Sequence, residues 1–165
     1  MILKVLTILI ANIFPDYRLT MSSLLEALNK GILTSNAEET IAIGEVLAKE
    51  LPSDTSLALY GDLGVGKTTF VKGLAKGLNI EKNITSPTFN LFSIYKGDKQ
   101  LIHLDAYRLS PEQSIETLMI EDFLCSPYLC VIEWPDNVPE LLNENTLKLE
   151  LSIQANSQQH FIQRI

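Results

Sequence analysis

The segment from residue 61 to residue 68 has the composition of a loop that binds phosphate. Its sequence, Gly-Asp-Leu-Gly-Val-Gly-Lys-Thr, matches the pattern G-x-x-x-x-G-K-[ST]. Glycines let successive backbone N–H groups turn toward anionic oxygens, and a following helix adds its positive N-terminal end. Lys67 can then reach the β- and γ-phosphates, and the Thr68 hydroxyl can complete the coordination of magnesium. The spacing therefore predicts a nucleotide-binding loop.

Two carboxylates each follow an apolar run that is typical of a buried strand. Asp105 comes after residues 101–104, and Glu133 comes after residues 129–132. Ligands bind at the carboxyl ends of the strands in open α/β sheets, so both carboxylates are expected to face the loop. Asp105 is predicted to hold magnesium through water, the Walker B function, with capping of the next turn as the alternative. Glu133 is predicted to ligate the metal or to orient the attacking water.

Three neighbouring side chains have both a structural and a functional interpretation. His103 is expected to be a structural histidine, with a catalytic role as the less common alternative. Trp134 is expected to be core packing or a lid over the site. Arg108 is a candidate arginine finger, although a salt bridge is the commoner use of such a residue. Because no other cation is an obvious candidate for the γ-phosphate, the isolated protein is expected to hydrolyse nucleotide slowly.

Hydrophobic periodicity predicts the elements that must position these groups. The apolar run from Leu57 predicts a strand before the loop, and residues 69–78 predict a helix after it. Residues 89–95, a tight turn and residues 100–105 predict an antiparallel hairpin. We therefore predict an α/β chain with a three-layer P-loop NTPase fold. Its central sheet is expected to be mixed but mostly parallel, with helices on both faces and an antiparallel hairpin.

Other segments predict the flanking elements. Ser35 or Asn36, followed by Glu38 or Glu39, forms a capping-box pattern for a helix that ends at Pro52. Periodicity alone predicts three further elements: a helix over 111–124, an edge-type strand over 146–153 that is wet on one side, and a strand over 160–165 that pairs with it.

Composition limits the class of protein. The chain has 165 residues, 46% of them hydrophobic, and 20 Asp and Glu against 13 Lys and Arg. This length supports one globular domain with a real core. The acidic balance argues against a free-standing nucleic-acid binder, so contact with RNA is expected only through a partner. Cys125 and Cys130 have no further cysteines or nearby histidines at zinc spacing, and are expected to be buried free thiols in a reducing cytosol.

The first residues of the chain differ in composition from the rest. Residues 1–14 are nearly all apolar, but they are too short to span a bilayer and lack a small-residue cleavage site after them. We expect a cytoplasmic protein, with residues 1–20 either appended or upstream of the true start. A helix through Leu28 that stops at Gly31 is predicted next. The expected division is an N-terminal extension over 1–33, a P-loop ATPase domain over 34–156 and a C-terminal strand or tail over 157–165.

Four motifs resemble the TsaE (YjeE) family, the ATPases of bacterial tRNA threonylcarbamoyladenosine synthesis. They are GDLGVGKTTF at 61–70, SPTF at 86–89, HLDAYR at 103–108 and VIEW at 131–134. The resemblance covers about residues 34–153. It implies ATP and magnesium at the loop, with Thr68 and Glu133 on the metal and Asp105 in the Walker B position. Two positions depart from the family pattern, since Val65 replaces an alanine and Met119 a glycine.

The resemblance also implies roles for particular residues and for partners. The catalytic residues would be Lys67, Asp105 and Glu133, and the metal ligands Thr68, Asp105 and Glu133. Residues expected at the nucleotide are Ser35, Asp62, Leu63, Gly64, Val65, Gly66, Lys67, Thr68, Thr69, Thr88, Trp134 and Asp136. The implied partners are TsaB and TsaD, whose complex transfers the threonylcarbamoyl group and would be reset by hydrolysis. Contact with tRNA is expected only through that complex, and the protein alone is expected to be a monomer.

Two other functions fit the loop. A small-molecule kinase would need a lid that carries arginines, but residues 109–128 contain no Arg or Lys. A non-hydrolysing module that signals nucleotide state is the other alternative. Adenine is favoured over guanine because no Asn-Lys-x-Asp motif follows the loop.

Overall fold

The computed structural model describes residues 21–87, 91–109, 120–155 and 157–165. Within these ranges the chain forms three helices and seven strands. The helices are α1 (Met21–Lys30), α2 (Ala37–Glu50) and α3 (Lys67–Gly77). The strands are β1 (Ile32–Thr34), β2 (Thr55–Tyr60), β3 (Phe92–Tyr95), β4 (Gln100–Asp105), β5 (Tyr128–Glu133), β6 (Leu147–Ile153) and β7 (His160–Arg164). Short 3-10 helices span Ile120–Phe123, Pro135–Asn137 and Pro139–Leu141.

All seven strands form one mixed sheet in the order β1-β7-β6-β2-β5-β4-β3. The central pairs β6–β2, β2–β5 and β5–β4 are parallel. The outer pairs are antiparallel, and β3–β4 is the predicted hairpin. The predicted α/β fold with a mixed sheet is therefore confirmed. Because β2 and β5 are adjacent and parallel, the loop after β2 and the carboxylate at the end of β5 lie at the same edge of the sheet.

Alternation along the central strands divides the core between the two faces. On β5, Leu129 and Val131 join a cluster that also contains residues from all three helices. Cys130 and Ile132 join a second cluster with Val138, beside the 3-10 helices. The sheet is thus covered on both faces, as parallel strands require.

The prediction that residues 146–153 form an edge strand is wrong. β6 lies inside the sheet, parallel to β2 on one side and antiparallel to β7 on the other. Leu149 and Leu151 are buried while Glu150 is exposed. This alternation arises because one face of the strand is covered, and it does not report whether a strand has neighbours. The predicted pairing of the C-terminal strand with β6 is confirmed.

Both helices predicted in the N-terminal third are confirmed. α1 ends before Gly31, which has a φ of +86° and donates its N–H to the Leu28 carbonyl. α2 begins after Asn36, whose Oδ1 accepts the Glu39 N–H at 2.9 Å. Residues 1–20 and most of the predicted helix at 111–124 lie outside the described residues. None of the described helices has the length and apolar character that a membrane span needs.

The prediction of two buried thiols is right for one cysteine and wrong for the other. Cys130 is buried on β5, and burial raises the pKa of its thiol to about 12. Cys125 is exposed, because it lies in the connection between a 3-10 helix and β5 and not on a strand. Only Cys130 lies within a continuous apolar run, the pattern typical of a buried strand.

Helices α2 and α3 approach so closely that glycine backbones form their contact. A Cβ at Gly73 would lie 2.2 Å from the Ile41 carbonyl oxygen, and one at Gly44 would lie 2.6 Å from the Phe70 carbonyl oxygen. No side chain fits between the helices at these points. The contact therefore sets the position of α3, whose first turn follows the predicted phosphate-binding loop over residues 61–66.

We expect the change Gly73→Ala to lower the free energy of unfolding by about 2 to 3 kcal/mol, because the added methyl overlaps a backbone oxygen. At an exposed helix position the same change stabilises by about 1 kcal/mol, so the expected sign is reversed. Urea titration followed by circular dichroism would measure it. Gly64→Ala is the matched control, since a Cβ there meets nothing within 4 Å. Its cost is limited to the positive φ, about 1 kcal/mol. A Gly73 variant at least as stable as the parent would contradict the close helix contact.

Candidate functional site

Residues 61–66 form a loop whose glycines adopt conformations that side chains rarely take. Gly61, Gly64 and Gly66 have φ angles of +123°, +84° and +100°. Gly66 is the N-cap of α3, and its carbonyl accepts the Phe70 N–H at 2.9 Å. The N–H groups in the first turn of α3 have no intrahelical acceptor, so they are available to an anion.

A cavity of about 720 Å³ lies against this loop and the first turn of α3. Its other walls come from the segment after α3, the turn after β4 and the carboxyl end of β5. This volume is within the range of about 300–1,000 Å³ found for small-molecule sites. The loop and the two strand-end carboxylates, which the sequence relates only through their positions after strands, therefore line one cavity.

The Lys67 ammonium lies inside the curve of the loop. Nζ donates to the carbonyl of Gly61 at 2.6 Å and to that of Asp62 at 2.9 Å, and lies 4.1 Å from the centre of the Trp134 ring. Burial lowers the Lys67 pKa from its ordinary value, and the negative charges of Glu133 and other nearby carboxylates only partly oppose this. A buried cation of this kind attracts a multiply charged anion strongly.

Glu133 is buried and bonded through a single carboxylate oxygen. Its Oε1 accepts the Thr68 hydroxyl at 3.1 Å and the His103 Nε2–H at 2.8 Å. The carboxylate oxygen can only accept, so Nε2 carries the proton; His103 Nδ1 is buried without a partner among the described residues. Neither bond uses Oε2, and Glu133 lines the cavity. The strand end thus presents a carboxylate whose orientation is fixed from two sides.

Asp105 lies directly across from Glu133, since the two are register partners in the parallel β4–β5 pair. Its Oδ2 accepts the Ser86 hydroxyl at 2.5 Å, and its Oδ1 accepts the Tyr107 N–H at 3.1 Å. The Asp105 carboxylate therefore caps the turn after its strand, which is the structural role given as the alternative to magnesium binding. It also lines the cavity. Ser86 connects this strand end to the segment that follows α3.

Trp134 has a conformation that is costly for a side chain as large as indole. Its φ is +58° and its ψ is +52°, in the left-handed region. The ring packs against Tyr107 with 4.8 Å between ring centres, and it lies under the Lys67 ammonium. The core-packing interpretation is supported, because the half-buried ring packs against the second core cluster. The ring also lines the cavity, and its role as a lid stays a prediction. Strained residues of this kind are concentrated at functional sites.

Comparison with known proteins identifies the family. A family model described as "Threonylcarbamoyl adenosine biosynthesis protein TsaE" matches residues 34–162. The chain belongs to the TsaE family. The tRNA threonylcarbamoyladenosine biosynthesis protein TsaE of Treponema pallidum is 37% identical over 123 residues, which are 74% of this chain and 91% of that protein.

Two further comparisons support this assignment. The TsaE protein of Bacillus subtilis is 38% identical over 117 residues, covering 70% of this chain and 73% of that protein. The crystal structure of Bacillus subtilis YdiB superimposes with a TM-score of 0.68 and 30% sequence identity, covering 81% of this chain and 83% of the other. The resemblance seen in four sequence motifs is therefore confirmed as membership of the TsaE family.

The structure brings most of the residues suggested by the TsaE motifs to one cavity. Those that line it are Leu63, Gly64, Gly66, Lys67, Thr68, Thr69, Asp105, Glu133 and Trp134. Arg108 lines it as well. Asp62 contributes its carbonyl to Lys67, and the Val65 side chain is buried in the main core cluster.

Four suggested residues do not line this cavity: Asp62 and Val65, whose contacts are given above, and Ser35 and Asp136. Ser35 is exposed, and its hydroxyl accepts a hydrogen bond from Gln159 Nε2 at 3.0 Å. Asp136 is exposed in the 3-10 helix after Trp134. Thr88 lies outside the described residues, so its place in the TsaE-type site stays a prediction.

Two histidines, His103 and His160, contact the site in ways that the sequence analysis does not predict. His103 was expected to be structural, yet its ring bonds the Glu133 carboxylate. The alternation of side chains on β4 puts His103 on the same face as Asp105 two residues later, and that signal was available. His160 bonds the loop from the last strand. Its contact depends on a pairing between strands far apart in the chain, so no local pattern predicts it.

Proposed function

We propose that this chain binds ATP with magnesium in the cavity and hydrolyses it in tRNA threonylcarbamoyladenosine biosynthesis. The observation that carries the proposal is the hydrogen bond between Thr68 Oγ1 and Glu133 Oε1, 3.1 Å long, beside the glycine-rich loop over residues 61–66. It joins a hydroxyl and a carboxylate, two oxygen donors that a hard divalent cation prefers, beside the predicted phosphate position.

The donor set fits magnesium bound together with phosphate. Within the described residues, no group of three or more His, Cys, Asp or Glu side chains is gathered as a metal site. Magnesium commonly takes one or two carboxylates and completes its shell with water and phosphate oxygens. Thr68 and Glu133 would hold it, with Asp105 contributing through water. When bound, the ion would neutralise charge on the phosphate oxygens.

The chain's own groups suit hydrolysis with modest catalytic power. Loop amides and Lys67 would bind the β- and γ-phosphates, and a carboxylate would align water with the γ-phosphorus. Glu133 is the favoured candidate, because its orientation is fixed while its Oε2 is left unused by Thr68 and His103. Asp105 is the alternative, although both its oxygens accept hydrogen bonds. Arg108 lines the cavity and is the candidate cation for the γ-phosphate.

The pathway follows from the relatives' names and not from the site. Proteins at 37% and 38% identity are named for tRNA threonylcarbamoyladenosine biosynthesis. We extend that role to this chain, with homologues of TsaB and TsaD as partners and tRNA contacted only through them. The net charge of −7 fits a protein that does not bind RNA directly. In this proposal the chain is a cytoplasmic monomer when alone.

The test is ATP turnover by the isolated full chain, with and without TsaB and TsaD from the same organism. We expect slow turnover alone, at least tenfold faster with the two partners and dependent on magnesium. Loss of threonylcarbamoyladenosine formation when this chain is omitted from the reconstituted reaction would support the pathway. Full-rate hydrolysis by the isolated chain with no response to the partners would overturn the proposal.

The hydrogen bond from His103 to Glu133 predicts a matched pair of variants. We expect His103→Leu to lower kcat about tenfold while the KM for ATP changes less than threefold, because the Glu133 carboxylate loses one of its two fixed bonds. His103→Gln keeps an N–H donor near the Nε2 position and is expected to recover most of the rate. Steady-state kinetics and thermal melting would be measured together. Equal loss of kcat in both variants, at unchanged melting temperature, would contradict a positioning role.

A further inference from the structure

A hydrogen bond connects the last strand, β7, to the predicted phosphate-binding loop over residues 61–66. His160, the first residue of β7, places Nδ1 2.8 Å from the Val65 carbonyl oxygen. The carbonyl can only accept, so His160 Nδ1 carries the proton. The strand pairs with β6 through Ile153 and with β1 through Thr34 at this position, which fixes the backbone of His160 from both sides.

The ring lies against the peptide between Val65 and Gly66. A Cβ added to Gly66 would be 3.3 Å from His160 Nδ1, which leaves little space between them. Gly66 lines the cavity, whereas Val65 has its side chain in the main core cluster. His160 itself does not line the cavity, so its ring contacts this part of the loop from outside the cavity lining.

The orientation of this peptide determines where an amide points. In a trans peptide the C=O and the following N–H point in opposite directions. A bond that holds the Val65 carbonyl toward His160 consequently turns the Gly66 N–H away from His160. Gly66 has no Cβ to restrict the peptide, so rotation of this plane has a small steric cost. An outside contact is needed to keep it in one orientation.

We propose that His160 is a positioning residue that holds the Gly66 amide toward the cavity and so prepares the loop for a phosphate. This inference rests on the proposed function, since it assigns the residue a part in nucleotide binding. The contribution comes from the C-terminal strand, 95 residues away in the sequence. Affinity for the phosphate groups of the ligand depends on this contact of His160. Affinity for the adenosine part does not depend on it.

Three variants test the proposal. His160→Leu removes the donor, while His160→Asn keeps an N–H close to the Nδ1 position. Gln163→Leu is the control, because Gln163 is half-buried on the same strand and its side chain points toward α1, where it bonds the Asn29 carbonyl. For each full-length protein, calorimetry would give the affinities for ADP and for adenosine. The ¹H–¹⁵N spectrum without nucleotide would give the Gly66 amide resonance, and thermal melting would report folding.

We expect His160→Leu to weaken ADP binding about tenfold with adenosine affinity unchanged, and to shift the Gly66 resonance. His160→Asn and Gln163→Leu should stay within threefold of the parent, with the resonance in place. An unmoved Gly66 resonance in folded His160→Leu would overturn the inference, as would equal weakening in all three variants. The spectrum needs no nucleotide, so failure of the parent protein to bind ADP would count against the proposed function alone.

Discussion

Replacing Glu133 with glutamine is expected to lower the rate of ATP hydrolysis about 100-fold or more while ATP still binds. A positioned general base contributes about 10² to 10⁴ in rate, and the amide can neither take a proton nor hold the water as a carboxylate does. Glutamine has the same shape, so its oxygen can still accept from Thr68 and His103, the two donors now on Oε1.

Glutamine tests the chemistry more cleanly than alanine does. Glu133→Ala also separates an enzyme from a simple nucleotide binder, because only an enzyme loses hydrolysis. However, it leaves the buried His103 Nε2–H without its acceptor and opens a space at a residue that is 3% exposed. Such an unpaired buried donor costs about 1 to 3 kcal/mol. A loss of activity with alanine would therefore mix chemistry with folding.

Single-turnover hydrolysis and an ATP titration followed by tryptophan emission would measure the Glu133→Gln effect. The chain has one tryptophan, Trp134, and it lines the cavity. Glu140→Gln is the control, because Glu140 is an exposed carboxylate in a nearby 3-10 helix. Full hydrolysis by the Glu133 variant would assign the attacking water to Asp105, the alternative residue at the adjacent strand end.

Features set by neighbouring residues could be predicted from the sequence. The loop at 61–68 needs glycines at fixed positions, and the cap at Asn36 needs only a side chain and an amide three residues later. The β3–β4 hairpin follows from a short turn between two runs. Each depends on chemistry within a few residues, so the sequence alone is sufficient.

Features set by contacts between distant segments could not be predicted. β6 alternates between buried and exposed side chains whether or not β7 pairs with it. Its position inside the sheet therefore cannot be predicted from that alternation. The His160 contact requires that same pairing. The bond from Ser86 to Asp105 joins the segment after α3 to the end of β4, and no local pattern fixes the distance between them. The candidate site residues could still be proposed from the sequence, because the carboxyl ends of parallel strands meet at one edge of the sheet.

The second large effect is expected for Lys67→Met, which keeps the apolar stem and removes the charge. We expect the affinities for ATP and ADP to fall about 100-fold or more. Charge-assisted hydrogen bonds are worth about 1.5 to 3 kcal/mol each, and the ammonium can make more than one with the phosphates. To do so it must exchange its bonds to the Gly61 and Asp62 carbonyls for bonds to phosphate oxygens.

The same variant is expected to melt at the same temperature as the parent or higher. Burial lowers the pKa of Lys67 from its ordinary value of 10.5, which means that the folded protein disfavours the charged form. That cost to stability is fully present below the lowered pKa and fades as the pH rises toward 10.5. At neutral pH the parent protein therefore carries the cost, and methionine does not.

Calorimetry is the appropriate measurement for Lys67→Met, because the ammonium contacts Trp134 and its removal would change the emission of the free protein. Lys72→Met is the matched control, since Lys72 is exposed on the same helix, and nucleotide affinity should not change. Retained ATP affinity in Lys67→Met would show that the loop amides alone hold the phosphates. A marked fall in melting temperature would instead mean that the two carbonyl contacts of Lys67 stabilise the loop by more than burial of its charge costs.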